Sequence, residues 1–167
     1  MIYRLHYTQF LNEFIEFAPD AFSDIHMACI ASEFQKISKE PVEVYTTYEA
    51  GGQVFPDFYY YNSVPLFSEP VFKMMKKAEV DNLFEKEVTV IDEIQEKSQK
   101  YILGLPPRIR MLDSKGKVNE SRIGNYKIFK TADFSDNNIY ITESLRQVFL
   151  KNKPLGMEMF EADDLYT

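Results

Sequence analysis

Few residues in this chain have types suited to chemistry. Cys29 is the only cysteine, and the two histidines are His6 and His26. In "SDIHMACIASEFQKIS", His26 and Cys29 stand three apart, so a helix would set both on one side. A zinc site needs further soft ligands that a single cysteine does not supply. A thiol–imidazole nucleophile pair is a second reading, although such partners usually come from separate segments. The third reading is a buried thiol in a helical stripe with His26 at its edge. Asp92-Glu93, Asp133 with Asp136, and Asp163-Asp164 lie in polar surroundings and read as solvated surface. The glycines never take a phosphate-loop spacing, and there is no G-x-S-x-G elbow. These residues predict no catalytic group, no metal and no cofactor.

Tyr59, Tyr60 and Tyr61 form the densest aromatic run. In a strand, Tyr59 and Tyr61 face one way and Tyr60 the other. At least one face should pack in a core, and the other would offer a contact surface with polar tips.

Charge narrows the field of partners. The net charge is −7, and residues 1–57 hold nine acids against three bases, a net of −6. A nucleic-acid backbone needs clustered Lys and Arg, so nucleic acid is not expected as a partner. A basic protein surface suits this charge better, and Glu13, Glu16, Asp20 and Asp24 would steer it, with Phe17 and Phe22 as apolar anchors. The competing location is the acidic C-terminal strand and tail, at Glu158, Glu161, Asp163 and Asp164. No apolar run approaches the roughly 18 residues of a spanning helix, so no membrane is expected. "MIYRLHYTQF" has no basic stretch followed by an apolar one, and a lone cysteine suits a reducing compartment; both predict a cytoplasmic protein.

The elements that must position these residues are legible from periodicity. Residues 1–7 alternate as a strand. Phe10, Phe14 and Phe17 suit a short helix ended by Pro19. A second helix starts at Ser23, which would cap it. "EPVEVYTTYEAGG" and "PDFYYYN" read as strands, the first stopped by Gly51-Gly52. Ser68 then stands before Glu69 and Pro70 as a helix cap, with Val71, Met74, Met75 and Ala78 on one face and Lys73, Lys76 and Lys77 on the other. Asp81-Asn82 turns into the strand "LFEKEVTVI". The plan recurs from Thr142: a cap, a helix with Leu145, Val148 and Phe149 inward, a stop at Pro154, and the strand after Gly156. Between the two units, "KYILGLPPRIRMLD" gives two strands split by Pro106-Pro107, "DSKGK" a turn, and "NYKIFKTADFSDNNIYI" two more strands. Either a true duplication or shared local rules would produce the matching units. Short connections between strands predict one domain over 1–167, of α+β class, with mainly antiparallel sheets, helices packed on one side and two helix-then-strand units.

From about Asp57 to Asp164 the chain resembles the immunity proteins of bacterial polymorphic toxin systems, and is similar to the families known as immunity protein eleven and immunity protein forty-three. The pieces are "DFYYYNSVPLFSEPVFKMMK", "KYILGLPPRIRMLD" and, as the best match, "YKIFKTADFSDNNIYITESLRQVFLKNKPLGMEMFE". The resemblance implies that Ser68, Asp113, Phe129, Thr142 and Gly156 shape the fold, and it carries over no catalytic residue. Residues 1–56 share only its general character. It implies a protein that binds a cognate toxin and blocks it by occlusion. The alternatives are a small enzyme using a buried carboxylate or the His26/Cys29 pair, and a structural or assembly module.

Overall fold

The computed structural model describes residues 1–8, 17–18, 20–47, 54–61, 63–133 and 136–162. The expected helix through Phe10 and Phe14 and the Gly51-Gly52 stop lie outside these residues. Two mixed five-stranded sheets account for most of the regular structure, joined by four short helices, so the class is α+β and mainly antiparallel.

The strands are β1 (Ile2–Tyr7), β2 (Val42–Tyr45), β3 (Phe58–Tyr61), β4 (Val64–Ser68), β5 (Phe84–Asp92), β6 (Lys97–Leu105), β7 (Arg108–Ile109), β8 (Ile128–Thr131), β9 (Ile139–Thr142) and β10 (Met157–Glu161). The helices are α1 (His26–Ala31), α2 (Glu69–Lys77), α3 (Glu120–Ile123) and α4 (Glu143–Asn152). The first sheet runs β10-β1-β9-β8-β7 and the second β2-β5-β6-β4-β3.

The two units predicted from sequence share more than local signals. β4 and β5 both pair antiparallel with β6, so they run parallel to each other with β6 between them. β9 and β10 flank β1 in the same way. Helix α2 joins the first pair of strands and α4 the second. Each unit is also preceded by a hairpin, β3/β4 or β8/β9. Equivalent backbone bonds close those hairpins: Ser68 N–H to Asp57 O at 2.8 Å, and Thr142 N–H to Lys127 O at 3.0 Å. Capping and stop signals do not dictate which strand sits between the two, so the repeat is one of topology.

Alternation sorts the side chains. On β3, Phe58 joins a central core while Tyr59 enters an outer one. The central core gathers Tyr3, Leu5, Phe67, Ile139 and Ile141 from both sheets with Val71, Phe72 and Met75 of α2 and Leu145 and Phe149 of α4. The expected placement of helices on one side describes α2 and α4. The short α1 packs Cys29 against the opposite face of the second sheet, with Leu66, Val88 and Leu103. Ile123 of α3 packs with Phe129 and Tyr140 on the opposite face of the first. The tyrosine run thus serves the core: Tyr59 is 1% exposed, its ring centroid 4.6 Å from that of Phe17 and 5.4 Å from that of Tyr101.

Three expected caps are replaced by other bonds. The Ser68 hydroxyl is buried and donates to Asp57 Oδ1 at 2.8 Å instead of capping α2. The Thr142 hydroxyl lies 3.0 Å from that of Ser144, with no side-chain cap on α4. Ile25, not Ser23, stands at the N-terminus of α1, and the Ser23 carbonyl meets His26 Nδ1 at 3.1 Å. For Ser68 a charged acceptor takes the hydroxyl. The second helix also ends early. Ser32 turns left-handed at φ 53°, its hydroxyl donates to Pro106 O at 3.0 Å, and Phe34–Lys36 continue only as a 3-10 turn. The stop of α4 matches its sequence signal: Lys153 takes φ 48° before Pro154, and Gly156 reaches φ 85°, a conformation open to a residue without Cβ. Helix α2, in contrast, ends at Lys77 and turns at Ala78 and Glu79 (φ 62°), ahead of the expected Asp81-Asn82 turn.

Candidate functional site

Of the acidic residues expected to meet a partner, Glu13 and Glu16 lie outside the described residues. Asp20 and Asp24 are exposed in the turns leading into α1. Their expected aromatic companions are not at the surface. Phe17 is 5% exposed and Phe22 1%, with ring centroids 5.4 Å apart, both packed onto Tyr61 in the outer core. The correction has a simple cause. Aromatic rings in contact with an aromatic sheet face lose more water-exposed area by packing there than by waiting for a partner. The exposed apolar side chain near Asp24 is Met27, on the first turn of α1. At the other candidate location, Glu158 sits 4.0 Å from His6 Nδ1, Glu161 is exposed, and Asp163 and Asp164 lie outside the described residues.

The His26/Cys29 pair has the geometry of a core thiol beside a helix start. Cys29 is fully buried, and that burial pushes its thiol up to about 11, so it is protonated at neutral pH. The His26 ring faces the Ser23 carbonyl. Among the described residues no group of His, Cys, Asp and Glu is placed to hold a metal ion. No helix among them is long and apolar enough to cross a membrane.

A polar cluster that periodicity did not single out lies where α1 ends. Lys130 on β8 is fully buried and donates from Nζ to the Cys29 carbonyl at 2.9 Å. Its ammonium also lies 5.8 Å from the centre of the Tyr60 ring. Burial and, after it, the neighbouring Arg108 guanidinium bring the Lys130 ammonium down to about 8, against the opposing pull of Cys29 and Asp136. Arg108 is the hub. Its Nε and one terminal nitrogen donate to the Ile30 carbonyl at 3.1 and 2.5 Å, and the other terminal nitrogen donates to Thr131 O at 2.6 Å. Further bonds reach Asp136 O and Asn137 Oδ1, both at 3.1 Å. The Tyr60 hydroxyl donates to the Asn137 carbonyl, and that of Tyr140 to Asp136 Oδ2 at 2.7 Å.

The acceptors explain the arrangement. Cys29 and Ile30 belong to the last turn of α1, whose carbonyls carry the negative end of its dipole and, apart from a 3.3 Å bond from the Ser32 N–H to the Cys29 carbonyl, lie beyond the helical ladder. Two cations from the first sheet satisfy them. The cluster therefore fastens α1 and the 136–138 segment to β7 and β8. The sequence did carry one signal for it. Lys130 shares its strand face with Ile128, a core-facing position where a lysine must bring partners with it.

Among known proteins, no family model matches the chain and no curated protein matches it.

Proposed function

We propose that this protein is a cytoplasmic immunity protein that binds a cognate bacterial toxin and neutralises it by occlusion. The observation that carries the reading is where the resembling pieces fall in the fold. "DFYYYNSVPLFSEPVFKMMK" covers β3, β4 and most of α2, and "YKIFKTADFSDNNIYITESLRQVFLKNKPLGMEMFE" runs from β8 to β10. They belong to the two repeated units, and Asp57 of one is hydrogen-bonded to Leu155 of the other. The adjacency of the two resembling pieces in one body supports the reading.

The chemistry favours binding over turnover. The groups most suited to reaction, Cys29, Lys130 and Tyr60, are buried or half-buried, and the side chains of Lys130 and Tyr60 are occupied in joining elements. The surface offers charge instead. Asp20 and Asp24 are exposed in the segment leading into α1, as is the flexible apolar side chain of Met27 on its first turn. A basic toxin surface would be steered toward this segment and held at short range by packing.

The test is co-expression with the product of the neighbouring toxin gene. A stable complex, and toxin activity lost in proportion to added protein, is the expected result. A toxin that stays fully active with the protein in excess, and no complex on a sizing column, would end the proposal.

A further inference from the structure

Helices α2 and α4 enclose an open groove of about 520 Å3. Lys73 and Lys77 stand on the α2 side, one turn apart, and Lys151 on the α4 side. Met74, Ala78 and Val148 form its floor, half-buried against the central core. Among the described residues no carboxylate lines it, in a chain of net charge −7. Four acids on or near these helices are engaged elsewhere. Glu69 pairs with Lys100 at 3.4 Å, Glu79 with Lys127 at 3.4 Å, Glu143 with Arg146 at 3.3 Å, and Glu85 with Lys76. Among the described residues, none forms an ion pair with Lys73, Lys77 or Lys151.

We infer that this groove is a docking site for an acidic, amphipathic segment of a partner protein. Its carboxylates would meet the three lysines and its apolar side chains would cover Met74, Ala78 and Val148. Charge complementarity selects the sign of the occupant, and the floor selects its kind. Three lysines supply few of the phosphate contacts on which a nucleic acid depends. Phosphates would also leave the apolar floor uncovered. A bilayer surface presents headgroups to the rim, whereas a side chain enters between the helices. An amphipathic segment uses both features at once, in the manner of a helix laid into a groove. The inference concerns the face formed by α2 and α4 and does not depend on the toxin reading.

The experiment follows backbone amide resonances of the isotope-labelled full chain. The probe is a synthetic glutamate-rich peptide with leucines spaced one helical turn apart. Comparison probes are the same peptide without leucines, its lysine-for-glutamate counterpart, phosphatidylglycerol vesicles and a thymidine oligonucleotide. The expected result is a shift of the Lys73–Ala78 and Val148–Asn152 resonances with the first peptide alone. K73E/K77E/K151E should weaken that binding by about tenfold or more, as should added salt. Val148→Gln, which leaves every charge in place, should weaken it too. Circular dichroism checks that both variants fold. No groove shift with the leucine-bearing peptide overturns the inference. So does an equal response to the peptide without leucines, or tighter binding of vesicles or oligonucleotide at the same residues.

Discussion

Asp57 and Leu155, 98 positions apart, hold each other by two hydrogen bonds. The Asp57 N–H donates to the Leu155 carbonyl at 2.8 Å, and the Leu155 N–H donates to Asp57 Oδ2 at 2.8 Å. The other carboxylate oxygen accepts from the buried Ser68 hydroxyl. One side chain thereby ties the start of α2 to the turn that follows α4, and so joins the two repeated units. Ser68→Ala should cost about 2 kcal/mol and Asp57→Ala about 3 kcal/mol, because bonds to a charged group are the stronger ones. Denaturant unfolding of both single variants and the double variant should reveal a coupling of about 1 kcal/mol or more. Strict additivity would mean that the two side chains act independently.

Thr142→Ala is expected to be nearly silent. Its hydroxyl meets only Ser144 and leaves the N–H groups of α4 uncapped. The loss should stay within about 0.5 kcal/mol, below the roughly 1 kcal/mol of a working N-cap. A larger loss in urea titration would restore the capping role expected from sequence.

Lys130 should leave a signature in the pH dependence of stability. Its folded value, about 8, lies below its ordinary 10.5, so the unfolded chain binds more protons between these limits and stability rises with pH through that window. Cys29 opposes this from its ordinary 9.0 upward, since its folded value is raised to about 11, and Tyr60, raised by burial, opposes it above 10.0. The rise is therefore clearest between about pH 8 and pH 9. Lys130→Met should abolish that rise. Urea unfolding at closely spaced pH values measures it, and an unchanged slope in the variant would assign the rise to another group.

Cys29 should resist alkylation while the protein is folded. The thiol is both enclosed and protonated, whereas the thiolate is the reactive form. Iodoacetamide at neutral pH should label it only as fast as the chain opens, and label it readily in urea. Rapid labelling of the native protein would revive the thiol as a nucleophile.

Charge reversal distinguishes the two acidic surfaces. Asp20→Lys with Asp24→Lys should slow association with the cognate toxin at low salt, with a smaller effect as salt rises. Glu158→Lys with Glu161→Lys should leave the rate unchanged. The reverse pattern in stopped-flow measurements would place the contact on β10.

By itself the sequence determined the class, the strands other than β4, the two helix-then-strand units and the stop of α4. These follow from alternation, helical spacing and residues such as Pro154 and Gly156, whose constraints act within a few positions. Three features depended on residues distant in the chain. Ser68 carries a cap's residue type, yet Asp57 arrives 11 positions away with a charged acceptor and takes its proton. The helix expected from Ser23 spans only His26–Ala31, and Arg108 and Lys130, from strands far along the chain, bond its terminal carbonyls. Phe17 and Phe22 have the look of surface anchors in an acidic segment, but the face of β3 lies over them. Only the tertiary structure brings α2 and α4 together around Lys73, Lys77 and Lys151. Periodicity assigns each lysine to the outward face of its own helix, whereas the groove exists only where the two outward faces meet, and no local rule specifies which helix lies beside which.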